Sequence, residues 1–307
     1  MRKLGPLFYV FAAAITGSGT ATLAKIAAND IPPMALTFIR FFLGALIIFP
    51  FFLKSEHPKK TKGELAEIIG LSLLAVLNPV LFFIGIKYTT AIMGQMIYVT
   101  LPIITIIISY VAGIEKLNTS KISGLFIGLI GSLILILGPY FTNISQFKSG
   151  TIGNLLIFAG ACSYVLYTVL IKKYEKKSSS IELNFYFMAT GLAISLILAP
   201  IEIATNHAWL STLSLSGILG MLYIGIIGTG LYYLFLINAV KISSPLISSS
   251  TLYIQPVFSF IWSYFLLGEC FTINLFAGGV LTLLGTIIIF KTSTSLPVSP
   301  STQLLGK

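Results

Sequence analysis

The stretch "ITIIISYVAGIEKL", Ile104 to Leu117, runs eleven residues without a charge and then meets Glu115. "SFIWSYFLLGECF", Ser259 to Phe271, repeats the Ser-Tyr pair, the apolar run and the glutamate, here Glu269. Superimposed, the two define a fixed offset of 154 residues. Lys87 falls on Lys241, Pro102 on Pro256, Ser109 on Ser263 and Tyr110 on Tyr264, then Glu115 on Glu269, Gly124 on Gly278 and Gly131 on Gly285. Proline, lysine and glutamate are scarce in apolar segments, so these identities mark a duplication rather than shared composition. An offset of 148 likewise pairs Gly5 with Gly153, Ala13 with Ala161 and Lys25 with Lys173. The chain therefore reads as two homologous halves, 1–138 and 151–291. A Ser/Thr/Pro-rich tail follows, 292–307, which is predicted to be disordered.

Of the 307 residues, 56% are hydrophobic and 9% charged, and the mean hydropathy is +0.97. A soluble domain carries about 25% charged residues, so an ordinary water-soluble globule is excluded. Apolar runs near the roughly 20 residues that cross a bilayer recur from end to end. Apolar length and Pro/Asn or charged punctuation predict ten helices: 5–25, 33–53, 66–86, 90–112, 120–138, 151–172, 181–202, 213–238, 244–267 and 272–290. With the N-terminus inside, the inner segments hold fifteen lysines and arginines, and the outer ones hold Lys87 and Lys148. Basic loops stay cytoplasmic, so both termini are expected there. Five helices per half is odd, so the halves enter the membrane from opposite sides. The expected fold is an all-α integral membrane protein, ten transmembrane helices as two inverted five-helix repeats. Secondary transporters use this plan, with a solute site near the midplane between repeats.

The net charge of +10 lies in short loops and is not interleaved with aromatics along a helix, which argues against nucleic acid. Cys162 and Cys270 lie in or beside apolar runs and imply neither a disulfide framework nor a metal site. Arg2 and Lys3 precede a run too long for a signal peptide, so it is read as a retained helix. No Walker motif is present, and His57 and His207 fall in loops, so neither ATP hydrolysis nor any other enzyme activity is expected, and no cofactor or metal. No Asp or Glu falls near the middle of a span. That favours uniport or exchange over a dedicated proton carrier, with Glu202 and Glu269 near the outer face as open coupling candidates.

Arg40 is the sharpest single feature, about 10 Å into the second helix at 1.5 Å per residue. It is read either as the anchor of an anionic group or as a side chain that snorkels to Asp30 or caps carbonyls. In "SSPLISSSTLYIQPVF", Ser244, Ser248, Thr251 and Gln255 share one helical face, and the matching fourth helix offers Gln95 and Tyr98. Such stripes line a cavity or bond neighbouring helices. Asn78 precedes Pro79 midway through the third helix, where a kink or a ligand contact would use it. Tyr164 and Tyr167 share a face with Thr168, and Tyr232 and Tyr233 stand beside "GTG". They suit a cavity for mixed polar and apolar solutes, or ordinary packing. The glycines of "GSG", 17–19, permit close helix approach or access to the main chain. Lys25 is read as an interfacial snorkel. Glu115 and Glu269 each precede a helix start, near Thr119 or Thr272, where a carboxylate satisfies free amides; gating or proton coupling is the alternative.

Several segments resemble the drug/metabolite transporter superfamily, EamA type. They are "GSGTATLAK" (17–25), "IPPMALTFIRF" (31–41), "GIKYTTAIMGQMIYVTLPIIT" (85–105), and the hairpins "GIEKLNTSKISGLFIGLIGSLIL" and "GECFTINLFAGGVLTLLGTIII". Ile114 replaces the glycine of the family's Gly-Glu in the first copy, and "YVLYTVLIKK" (164–173) replaces the Gly-Ser-Gly run in the sixth helix. The resemblance covers 5–291 and implies alternating access in a bacterial inner membrane. The implied solute is small and organic, an amino acid or related metabolite, and export is the leading direction. An exchanger of nucleotide-linked or phosphorylated metabolites is the first alternative, and a non-transporting subunit or channel the second. Membrane lipid is the other expected partner, and monomer or homo-oligomer stays open.

Overall fold

The computed structural model describes residues 5–55, 58–85, 88–89, 91–137, 150–174, 177–205, 209, 213–267 and 273–294. All regular structure among them is helical. The first seven helices are α1 (Pro6–Asp30), α2 (Pro33–Lys54), α3 (Lys62–Gly85), α4 (Ala91–Val99), α5 (Leu101–Val111), α6 (Thr119–Leu137) and α7 (Thr151–Leu170). Then come α8 (Ser180–Thr205), α9 (Leu215–Leu222), α10 (Tyr232–Ile242), α11 (Pro245–Ser249), α12 (Thr251–Leu267) and α13 (Ile273–Thr294). A 3-10 turn, Ile171–Tyr174, prolongs α7, and a π-helical stretch, Tyr223–Leu231, joins α9 to α10.

Five helical stretches among the described residues are long and apolar enough to cross a membrane: Pro33–Lys54, Lys62–Gly85, Thr151–Tyr174, Ser180–Ala204 and Leu215–Ile242. Shorter apolar helices are Leu101–Val111, Thr119–Ile134 and Phe276–Thr292. Helices suit a hydrocarbon environment because each backbone amide finds its partner within the segment. Their outer faces are apolar, as Leu196, Ile197 and Ile201 of α8 show, each more than half exposed.

Polar caps set where several helices begin. Thr61 and Glu64 form a capping box, Thr61 N donating to Glu64 Oε2 (3.1 Å) and Glu64 N to Thr61 Oγ1 (3.2 Å). The third helix consequently starts at Lys62, four residues ahead of the hydropathy boundary. Asn118 Oδ1 accepts from Lys121 N (2.7 Å) at the start of α6, and Ser179 Oγ from Glu182 N (3.0 Å) at the start of α8. The segment expected as one helix over 90–112 is divided at Thr100, just ahead of Pro102, whose ring nitrogen has no proton to bond the preceding turn. The segment 244–267 is divided at Ser250.

Helix α5 ends inside the opening stretch. Gly113 takes φ +70°, Ile114 N reaches back to Ser109 O (2.8 Å) and Gly113 N to Tyr110 O (3.0 Å). This is a Schellman closure, which a glycine adopts without a Cβ clash. Glu115 follows, buried, with Oε2 2.5 Å from Lys121 Nζ. Asn118 takes the free amide of Lys121 at the start of α6, and the hydrogen bond shown for the Glu115 carboxylate is to the Lys121 ammonium.

Without a hydrophobic drive between helices in lipid, close backbone packing at small residues supplies much of the association. Helices α6 and α13 run antiparallel through such a contact. A Cβ on Gly131 would stand 2.8 Å from Gly278 O, and one on Gly285 2.6 Å from Gly124 O. Gly124 corresponds to Gly278 and Gly131 to Gly285 in the sequence repeat, so the contact is reciprocal. Helices α2 and α8 behave alike: Gly44 meets Met188 and Gly191 meets Phe41, again reciprocal, because an offset of 147 residues carries Gly44 onto Gly191 and Phe41 onto the position of Met188. An apolar core is formed by α2, α3, α7, α8 and α10, including Phe41, Leu71, Tyr167, Phe187, Tyr233 and Leu236.

One end of the bundle carries ion pairs. Lys60 Nζ lies 2.5 Å from Glu182 Oε1, both side chains almost fully buried. Lys177 pairs with Glu64 (2.8 Å), Lys173 with Glu67, and the Tyr174 hydroxyl donates to Glu67 (2.6 Å). Lys172 Nζ donates to three carbonyls at the end of α10, those of Val240, Lys241 and Ser243. At the other end Glu202 Oε2 accepts from Met34 N (2.6 Å) and Ala35 N (3.2 Å), capping α2, and Asp30 accepts from Ser214 N and Oγ.

Candidate functional site

Where α1, α2, α3, α4, α5, α7, α10, α11 and α12 converge they line a partly open cavity of ≈ 170 Å³. That is room for on the order of ten water molecules, the scale of a small organic solute.

Arg40 enters it from α2 and is 6% exposed. Its Nε donates to Thr229 Oγ1 (3.0 Å), and its guanidinium carbon sits 5.7 Å from the Phe41 ring centre and 5.8 Å from that of Phe83. The guanidinium also lies beside the Tyr233 hydroxyl. Thr229 is delivered by the π-helical stretch, and its own hydroxyl donates five residues back to Ile224 O (2.7 Å). The wide turn shifts the residues after it relative to a regular α-helix, a recurrent device at functional sites. Arg40 does not reach toward Asp30, which is engaged with Ser214. Among the described residues no carboxylate pairs with it.

From α3, Asn78 Nδ2 donates to the Tyr98 hydroxyl of α4 (2.6 Å), and Pro79, Phe82 and Phe83 continue that wall. The second wall carries Tyr164 and Thr168 of α7 with Tyr232 and Tyr233 of α10. Tyr164 and Tyr233 meet edge to face with centroids 6.0 Å apart, and Tyr232 and Tyr233 likewise at 4.9 Å. From α11 and α12 come Ser248, Leu252 and Gln255. Gln255 and Tyr232 press against α1 at Gly17, where a Cβ would stand 2.4 Å from Gln255 Nε2. Thr20 Oγ1 and the Tyr164 hydroxyl are buried without a hydrogen-bond partner among the described residues.

Of the residues singled out in the sequence, Arg40, Asn78, Tyr98, Tyr164, Thr168, Tyr232, Tyr233, Ser248 and Gln255 thus share this cavity. Tyr167 and Thr251 do not line it. Tyr167 is 1% exposed and packs on Phe187 in the apolar core, and Thr251 is fully buried outside the lining. In each case the neighbouring row of the helix faces the cavity, Tyr164 with Thr168, and Ser248 with Leu252 and Gln255. The Gln95 and Lys25 side chains and all of Glu269 lie outside the described residues. Sequence reasoning missed Thr229, whose role depends on the π register. It also missed Thr20, Thr105 and the Phe82–Phe83 pair, which composition does not separate from packing residues.

Among the described residues the lining offers one cation, several hydroxyls and amides, and many ring faces, which is equipment for holding a solute. No group of three His, Cys, Asp or Glu side chains suited to a metal occurs among the described residues.

Comparison with known proteins places this geometry in context. The EamA-like transporter family matches residues 4–137 and again 151–291. The chain is 27% identical to the uncharacterized transporter YoaV of Bacillus subtilis over 267 residues, covering 85% of this chain and 88% of the relative. It is 24% identical over 290 residues to an uncharacterized transporter of Archaeoglobus fulgidus, covering 94% and 97%. It is 27% identical over 265 residues to the uncharacterized inner membrane transporter YedA of Escherichia coli K12, covering 83% and 81%. A solved crystal structure superposes with a TM-score of 0.73 at 18% identity, covering 95% of this chain and 99% of the other. That likeness shows a shared fold.

Proposed function

We propose a transport cycle for this chain, which belongs to the EamA-like transporter family. The protein is a secondary transporter that moves a small organic solute across the bacterial inner membrane by alternating access, through ten spans arranged as two inverted five-helix repeats. An amino acid or related metabolite is the solute class, and export the direction. Both termini lie in the cytoplasm.

The observation that carries this reading is a cavity walled from both family-matched segments, Arg40, Asn78 and Tyr98 from one, Tyr164, Tyr232 and Gln255 from the other. The reciprocal contacts of α6 with α13 and of α2 with α8 support the inverted arrangement. A two-fold relation makes residue i of one copy meet j of the other while j meets i. Opposite chain direction within each pair is what an axis in the membrane plane requires. Rocking one unit against the other about the cavity would then open it to each side in turn.

The test is counterflow by purified protein in liposomes preloaded with members of a metabolite library. Saturable uptake that is accelerated by the same solute on the far side is expected. Flux that never saturates would point to a channel and sink the carrier reading.

A further inference from the structure

The most unusual charge in the molecule is Arg40, a nearly buried cation whose described neighbours are all neutral. Thr229 accepts from its Nε, Tyr233 stands beside it and two phenyl rings flank it. Among the described residues the cavity lining holds no other basic side chain and no acidic one. A buried charge persists when paired or hydrogen-bonded, and removal from water is costly without compensation. Thr229 and the π faces compensate only in part. With Nε committed to Thr229 and the guanidinium also hydrogen-bonded to the Tyr233 hydroxyl, the remaining terminal N–H groups are the part suited to a planar acceptor, which carboxylates supply. Beyond Arg40 most of the wall is ring and aliphatic surface, from Phe82, Tyr98, Tyr164, Tyr232, Leu236 and Leu252, with the neutral polar groups of Asn78, Ser248 and Gln255 set into it. The Thr20 and Tyr164 hydroxyls, both without partners among the described residues, remain for a second polar group.

We propose that the transported solute is a small organic monoanion, a carboxylate on an apolar or aromatic body, held by Arg40 and preferred over the zwitterion of the same skeleton. This rests on the transporter reading above and, within its solute class, selects the related carboxylate metabolites over the amino acids themselves, which enter as zwitterions. The physical reason lies in the balance of charge. A monocarboxylate neutralises Arg40 and brings no second charge into the cavity. A zwitterion brings an ammonium for which the described lining has no carboxylate. An ammonium alone would add a second uncompensated cation beside the first.

The test holds the ring constant and varies the head group. Binding of 3-phenylpropanoate, L-phenylalanine and 2-phenylethylammonium to the detergent-purified full chain is measured by calorimetry and by shift of the melting temperature. The propanoate is expected to bind at least about tenfold tighter than phenylalanine, and the amine weakest. In Arg40→Gln that ratio should collapse toward one, while Arg40→Lys keeps part of it. Equal or tighter binding of phenylalanine or of the amine, no measurable binding of any of the three, or an unchanged ratio in Arg40→Gln would overturn the proposal. Should Arg40→Gln fail to fold, the wild-type ratio decides alone. Saturable counterflow of phenylalanine but not of the propanoate would overturn this inference and leave the carrier intact. Tight propanoate binding with no saturable counterflow of any solute would sink the carrier and leave the site's preference standing.

Discussion

At the scale of single residues, rarity was the legible signal. An arginine inside an apolar segment, an Asn-Pro pair and a run of tyrosines are costly to leave facing lipid, and Arg40, Asn78, Tyr98, Tyr164 and Tyr232 all stand in the cavity wall. Which face of a helix a residue joins was less legible. Tyr167 and Thr251 sit one position away from cavity-facing Thr168 and Leu252, and hydropathy alone favoured Thr251 over the apolar neighbour that takes the row. Glu115 shows a third case, a glutamate visible as a repeat marker whose partner could not be read. Its carboxylate is buried against Lys121 at 2.5 Å. Removing one member of a buried pair leaves the other uncompensated, a loss of about 3 kcal/mol or more. Glu115→Gln should therefore lower the melting temperature of purified protein, and the double replacement Glu115→Gln with Lys121→Met should recover much of the loss. Normal melting of Glu115→Gln with transport abolished would instead make Glu115 part of the transport machinery.

At the scale of elements, the sequence repeat carried more than segment lengths did. Hydropathy located helical segments to within a few residues, yet the capping box at Thr61 and the division at Thr100 are set by hydrogen bonds that hydropathy does not weigh. The π-helical stretch was out of reach, since "YIGIIGTGL" reads equally well as regular helix. The repeated glycines, by contrast, pointed to a real contact. On one helix, α13, Gly285 and Gly279 make opposite predictions. A Cβ at Gly285 would stand 2.4 Å from Gly128 N and 2.6 Å from Gly124 O, whereas one at Gly279 meets nothing within 4 Å. Backbone cannot yield as a flexible side chain does, so Gly285→Ala must push α6 and α13 apart, at about 1–3 kcal/mol for such overpacking. Gly279→Ala should melt like the parent protein. Equal melting of both variants would show that this helix pair is not closely packed.

At the scale of the whole molecule, charge placement predicts orientation and ion pairs predict how the transporter gates. If the basic loops are cytoplasmic, a green fluorescent protein fused after Lys307 should fluoresce, and alkaline phosphatase at the same position should be inactive. The reverse pattern would invert the topology. That orientation puts Lys60–Glu182, Lys177–Glu64 and Lys173–Glu67 at the cytoplasmic end, each joining one family-matched segment to the other. Under the proposed alternating access, these joints part whenever the cavity opens inward. Exposed pairs such as Lys177–Glu64 are screened by solvent and contribute little, so the buried Lys60–Glu182 pair is the one whose loss should shift the balance of states. An equilibrium moves only by the difference an interaction makes between its states, and a pair made only when that end is closed qualifies. In a chain lacking Cys162 and Cys270, a cysteine in place of Ser248 would report from the cavity wall through its labelling by a membrane-impermeant maleimide in inside-out vesicles. Glu182→Gln should raise that labelling rate several-fold, and Lys60→Met should do the same. An unchanged rate in both would mean that the pair survives inward opening, and that the two segments hinge about it rather than separate there.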